Sequence, residues 1–286
     1  MRLSHNINSL KLLNNYNKAI NQGSSSVSRI SSGERFTSAK DAPNKIGQSE
    51  QMRIQLKSMD SAKKNLQDGT SMLQAADGAL QEVNSVLDRM RELTVQASNG
   101  TNNDQDKKAV QTEIDQMKET LNDLANNTEF NGVKLIGNQN VVNNKYPQYQ
   151  NVVIGAMVGE QTQIPLYNTA PSALKDSNGN TLEDIDVTTY AGSQSALEVI
   201  DASIDTVNKI RSKFGAISNV FENTADNLDE NYSLTENADS NIRDTDIASE
   251  IAEYARTQIL SQTGVALIAQ SNNFPKDALK TLENVR

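Results

Sequence analysis

The sequence predicts a mainly α fold: a long antiparallel helical bundle or coiled-coil rod with a small β-hairpin-rich insert, its N- and C-terminal helices paired. Three observations predict it. The five prolines stand at 43, 147, 165, 171 and 275, so two long stretches can keep every interior helix hydrogen bond. Apolar residues in those stretches recur about every 3.5 positions, the spacing of a packed helical seam. Hydrophobic residues make up 36% of the 286 and aromatics 4%, which suits narrow seams better than one thick core.

Taken in order, residues 1–40 place Leu3, Ile7, Leu10, Leu13, Ile20, Val27 and Ile30 at helical spacing, diluted by asparagines and the Ser24-Ser25-Ser26 run. Such a helix is marginal alone, because nucleation entropy is recovered only through packing. The spacing then predicts a helix over 44–98, with Asp41 capping its start and Pro43 tolerated in its first turn. Its seam runs Met52, Leu56, Met59, Ala62, Leu66, Thr70, Leu73, Ala76, Leu80, Val83, Leu87, Met90, Leu93 and Ala97. At 1.5 Å per residue this is a rod about 80 Å long.

The polar run Asn99 to Asp104 ends that helix, and Asp104 is placed to cap the next one. Val110, Ile114, Met117, Leu121 and Leu124 mark a second helix, which the short break folds back antiparallel. From 129 to 190 the reading changes to turns and strands, with Asn131-Gly132, Asn178-Gly179, Val152-Val153-Ile154 and Val187-Thr188-Thr189-Tyr190 as its signals. Helical spacing resumes at Ile200, Ile204, Val207, Ile210, Phe214, Ile217, Phe221, Ala225 and Leu228. A last stripe, Ile247, Ile251, Tyr254, Ile259, Ala266 and Ala269, is expected to break at Asn272-Asn273-Phe274-Pro275. Both terminal helices are expected to order only against each other or against other copies.

Composition narrows the function. The net charge is −9, which disfavours a nucleic-acid partner. There is no cysteine and a single histidine, His5, so thiol nucleophiles, histidine triads and multi-histidine metal sites are excluded. No apolar run is long enough to span a membrane. Asp184 with Asp186, Asp244 with Asp246 and Glu250 with Glu253 are carboxylate pairs without convergent partners. Asp244 and Asp246 read as caps of the last helix. No catalytic, cofactor-binding or metal-ligating residue is assigned, and no cofactor is expected. Residues 1–40 carry six basic side chains against Glu34 alone, a local charge of +5, so a basic arm leads an acidic body.

Particular words in this pattern resemble bacterial flagellin. They include Ile7-Asn8-Ser9-Leu10, Ile30-Ser31-Ser32-Gly33-Glu34-Arg35, Asn65-Leu66-Gln67-Asp68-Gly69, Ala76-Asp77-Gly78-Ala79-Leu80, Arg89-Met90-Arg91-Glu92-Leu93 and Thr128-Glu129-Phe130-Asn131-Gly132. Near the other end stand Phe214-Gly215-Ala216, the run Ile242 to Ala248 and Gln258-Ile259-Leu260-Ser261-Gln262. The resemblance implies a structural subunit, exported through the flagellar type III pathway, that polymerises into the extracellular filament used for swimming. It implies three parts: 1–40 with 241–286 as a terminal inner-tube domain, 41–137 with 191–240 as the helical-bundle core, and 138–190 as a short β-rich surface insert. The implied inner-tube contacts are Leu3, Ile7, Leu10, Leu13, Ile251, Ile259 and Leu267. Implied partners are further copies of the chain, the hook–filament junction and filament cap proteins, an export chaperone and the animal Toll-like receptor for flagellin, the last through Arg89, Leu93 and Glu113. No nucleic acid or membrane partner is implied. A hook–filament junction protein, a minor flagellin and a cytoplasmic helical signalling bundle stay open as alternatives.

Overall fold

The structure is a computed structural model that describes residues 6–38, 40–141, 144–157 and 159–283, without the side chains of 274–279 and 281–283. The described residues form α1 (Ile7–Ser32), α2 (Pro43–Ala97), α3 (Asp104–Asn127), β1 (Glu129–Phe130), β2 (Val133–Lys134), β3 (Gln148–Val153), β4 (Gln161–Leu166), α4 (Tyr190–Arg243) and α5 (Ile247–Glu283). The mainly α class with a small β part is what the sequence predicts. The chain divides into two compact units, one of Met1–Leu56 with Ser233–Arg286 and one of Lys57–Tyr232. The boundaries expected near 40 and 241 both fall inside the first unit.

In the second unit the predicted seam is the core. From Ala62 to Ala97 the stripe residues of α2 are buried apart from half-buried Thr70, and they pack with Val110, Ile114 and Leu121 of α3 and with Ile200, Val207, Ile210, Phe214 and Phe221 of α4. Polar pairs flank this seam: Lys63 to Asp229 at 2.7 Å, Arg211 to Asp77 at 2.8 Å, Asn84 to Asn208 at 2.8 Å and Arg91 to Asp201 at 2.7 Å. As the α2 number rises the α4 number falls by nearly the same amount, so the two helices run antiparallel. These pairs are exposed or half-exposed, so solvent screens most of their attraction. They mark register, while apolar burial supplies the stability.

The capping of α3 differs from the expected one. Asn103 is the N-cap, accepting from the backbone N–H of Gln105 and Asp106, while the Asp106 carboxylate accepts from the Asn103 N–H. This reciprocal pair satisfies three backbone N–H donors, whereas Asp104 is already the first helical residue. Asp41 likewise does not cap α2, because its carboxylate accepts from the Ser38 N–H at 3.1 Å and closes a turn before the helix.

Two antiparallel hairpins form in the middle. Asn131 and Gly132 connect β1 to β2 with φ of 48° and 79°, the positive pair that a two-residue hairpin turn requires. β3 pairs with β4 from Gln148 opposite Leu166 to Val153 opposite Gln161. Val187-Thr188-Thr189-Tyr190 is not a strand. The Val187 N–H donates to Gln111 of α3 at 2.8 Å, and Thr189 Oγ1 accepts from the Gly192 N–H at 3.0 Å, turning the chain into α4. Leu166, Tyr167, Leu174, Leu182, Ile185 and Val187 join the same core as α2, α3 and α4, so the middle of the chain helps to bury the helices.

Replacing Leu80, fully buried at the centre of this seam, with alanine is expected to destabilise the second unit by about 2–5 kcal/mol. Urea unfolding of the full chain followed by circular dichroism checks this; a loss below about 1 kcal/mol would contradict the assigned core.

Candidate functional site

No described group of acidic or histidine side chains is arranged to hold a metal ion, and each member of the carboxylate pairs has a partner within the chain. Asp246 accepts from the Ala248 N–H at 3.0 Å and caps α5. Asp244, expected to share that role, instead accepts from the Ser240 hydroxyl at the end of α4. Thr181 donates to Asp184 at 2.6 Å. The hydroxyl and backbone N–H of Thr188 hold the Asp186 carboxyl below the usual aspartate range. Glu250 pairs with Arg29 at 2.9 Å, and Glu253 pairs with Arg256. Among the described residues, no helix is long and apolar enough to cross a membrane. The feature with functional content is a surface, made by α1 and α5 within the first unit.

α1 begins at Asn6, whose side chain accepts from the Ser9 N–H at 3.1 Å, and ends at Gly33 in the left-handed conformation. Its buried residues are all small: Ala19, Gly23 and Ser26. Facing them on α5 is Thr257, 1% exposed. A Cβ on Gly23 would lie 3.0 Å from Thr257 Oγ1 and within 4.0 Å of the Tyr254 ring, so any side chain here crowds the opposite helix. Tyr16 lies against Gly264, the Cβ position of which is 3.6 Å from its ring. The α1–α5 seam therefore consists of backbone and small side chains, with an aromatic ring laid over a glycine.

The other end of this unit is fastened by polar contacts. Arg243 donates to Glu34 at 2.9 Å and to Glu50 at 3.3 Å, its carbonyl accepts from the Arg35 N–H at 2.6 Å, and Thr245 N–H donates to the Gly33 carbonyl at 3.0 Å. The hydrogen bond to Glu34 raises the guanidinium pKa further, so this charge persists wherever the protein is folded.

With small residues at the closest approach, most of the large apolar side chains are left outside. Ile7, Leu10, Leu13, Ile251, Ile259 and Leu267 are between 43% and 63% exposed, and Leu3 lies outside the described residues. The surface extends past the residues singled out from sequence, because Ile20, Val27, Ile247, Leu260 and Val265 are exposed as well. At 100° per residue, the apolar residues of α5 point around its whole circumference rather than forming the single stripe expected. A helix apolar on all sides is one that becomes surrounded. The proline-containing segment does not break α5 either, and the helix continues to Glu283.

Of the three residues assigned to a receptor surface, Arg89 and Glu113 are exposed and paired at 3.2 Å. Leu93 is a correction: it is 2% exposed and belongs to the core of the second unit, since it occupies the seam position between Met90 and Ala97. It offers no surface for a partner to touch.

Comparison with known proteins agrees with this architecture. The bacterial flagellin N-terminal helical region matches residues 3–141, and the bacterial flagellin C-terminal helical region matches 197–282. A flagellin of Halalkalibacterium halodurans is 37% identical over 99% of this chain and 100% of its own length. A flagellin of Bacillus subtilis is 35% identical over 99% and 100% respectively. Among solved structures, one from Vibrio parahaemolyticus, described as a flagellar hook-associated protein, superposes with a TM-score of 0.60 at 16% identity over 71% of this chain and 100% of that one; it shares the fold alone. The exposed apolar faces of the terminal helices thus belong to a member of the bacterial flagellin family, a structural subunit of the extracellular flagellar filament.

Proposed function

We propose that the outward apolar faces of α1 and α5 are the surfaces through which successive copies pack in the filament. The observation that carries this reading is the inversion of the α1–α5 pair, with Ala19, Gly23, Ser26 and Thr257 inside and Leu10, Ile251 and Ile259 outside. Apolar surface of this extent marks an interface. A head-to-tail contact whose rotation does not close produces an open helical polymer. In this reading Ile7, Leu10, Leu13, Ile251, Ile259 and Leu267, with Leu3, make inner-tube contacts, and 1–40 with 241–286 acts as the terminal domain. The bundle of 41–137 and 191–240 and the insert 138–190 form the part outside it.

The same surfaces require covering before assembly, which supports an export chaperone as a partner and transit through the flagellar type III pathway. The junction and cap proteins would meet them at the two filament ends. Recognition by the animal Toll-like receptor for flagellin would then rest on the exposed Arg89–Glu113 pair and not on Leu93; an unchanged reporter response to Arg89→Ala would remove that assignment.

Two variants test the assembly reading. Ile251→Asp places a charge on the outer face and is expected to abolish growth from filament seeds in electron micrographs while leaving the helical circular dichroism of the monomer unchanged. Filaments of normal length from Ile251→Asp would sink the assignment. Gly23→Leu drives a side chain into Thr257 and is expected to leave the ends of the chain protease-sensitive under seeding conditions, whereas in the unaltered protein they become protected. Equal protection in the two proteins would show that the small-residue seam is not needed.

A further inference from the structure

A cleft of about 860 Å³ opens in the second unit between α4 and the segments after β2 and β4. It has no part in the packing of α1 and α5. Its wall holds four lysines, Lys145, Lys175, Lys209 and Lys213, against one acidic residue, Asp176. In a chain of net charge −9, a lining with four lysines and one acidic residue is a local excess of basic side chains. The acidic group is already engaged: Asp176 accepts from the backbone N–H of Asn178 and Asn180 at 2.9 and 2.8 Å and from the Asn180 side chain at 2.9 Å. Lys209 pairs with Asp205 at 2.5 Å. Neither Lys175 nor Lys213 has an ion pair among the described residues.

A second and independent observation lies in the same wall. Tyr167 is 1% exposed and packs against Phe214 with ring centroids 5.9 Å apart, while Lys213 Nζ stands over the tyrosine ring, 5.7 Å from its centroid. Its hydroxyl is buried and has no hydrogen-bond partner among the described residues. A phenylalanine would fill this site without leaving a polar atom unsatisfied, a state that costs about 1–3 kcal/mol. Tyr167 and the lysines share one lining, which also includes Ser177 and Ser212.

We propose that this cleft binds a small anion bearing hydroxyl groups, the chemistry common to sugar acids and sugar phosphates. Lys175 and Lys213 meet the anion, Tyr167 donates to it or to a neighbouring hydroxyl, and Ser177 and Ser212 hydrogen-bond the remaining polar edge. The volume lies within the range of small-molecule sites, roughly 300–1,000 Å³, and the lysine-and-hydroxyl lining selects a polar charged ligand over an apolar one.

Isothermal titration and backbone NMR of the full-length monomer with glucuronate, glucose 6-phosphate, glucose and inorganic phosphate test this. At least one of the two sugar anions is expected to bind saturably, with shifts centred on Lys175, Tyr167 and Lys213. Which of them binds distinguishes a carboxylate from a phosphate source. The double variant Lys175→Gln with Lys213→Gln is expected to weaken that binding by about tenfold or more. Tyr167→Phe is expected to weaken binding while the melting temperature without ligand holds or rises, a combination that a merely structural tyrosine would not give. Binding of neither sugar anion, equal binding by the double variant, or glucose or inorganic phosphate binding as tightly as the sugar anions would each overturn the proposal.

Discussion

The behaviour of the first unit depends on one steric constraint, the closeness of α1 and α5 at Gly23. Two helices that approach on glycine, alanine and serine bury little apolar area, so the seam between them contributes modestly to stability. The same closeness has a second effect. Large side chains are crowded out where the helices come closest, so Ile7, Leu10, Ile251 and Ile259 stand outside, while Leu12, Ile30 and Ile268 are half-buried. Weak internal pairing and a strongly apolar exterior are therefore two results of one packing choice. A pair stabilised by leucines inside would be sturdier as a monomer and would have less apolar surface to share with other copies.

The second unit solves the opposite problem. Its helices carry one apolar stripe each and bury most of it, with polar pairs such as Arg91–Asp201 and Arg211–Asp77 along the margins. Gly69 allows a close approach here too, since a Cβ at that position would lie 2.6 Å from the Phe221 ring. In this case the approach lets an aromatic ring into the seam, where small residues against small residues would leave little buried. One helix pair closes on its own large side chains, and the other leaves them to be covered.

Sequence periodicity made the second unit legible because its stripes record a partner present in the same chain. Leu66, Leu73, Leu80 and Leu87 are buried as spaced, and so is the α4 stripe from Ile200 to Phe221 apart from half-buried Ile204 and Ile217. The hairpin at Asn131-Gly132 was legible for a local reason, two consecutive residues suited to positive φ. What failed to show was what depends on distant or competing hydrogen bonds. Asn103 and Asp104 are both good caps, and only the reciprocal bond to Asp106 decides between them. Val187-Thr188-Thr189-Tyr190 has the composition of a strand, but Gln111, in another helix, takes its backbone. Leu93 was placed on a surface through family likeness, while its own spacing already assigned it to the seam. On α1 and α5 the outer residues were legible as apolar and helical; that they stay uncovered in the monomer depends on Gly23, which spacing alone did not reveal.

The continuation of α5 through Pro275 shows how such a distant bond can reverse a local rule. Proline has no N–H, so the carbonyl four residues earlier, that of Ser271, loses its helical donor, one component of an interior-proline cost of about 3 kcal/mol. Here the Asn6 side chain, 265 residues away, donates to that carbonyl at 2.8 Å and also to the Ser271 hydroxyl at 3.2 Å. The same amide group caps α1 through its oxygen, at 3.1 Å from the Ser9 N–H. One asparagine therefore starts the first helix and repairs the last, and a bond of this kind returns about 0.5–1.5 kcal/mol. Since the repair exists only when the two helices are paired, the helicity of α5 beyond Ser271 is linked to the docking of α1, and each terminal segment gains order from the other.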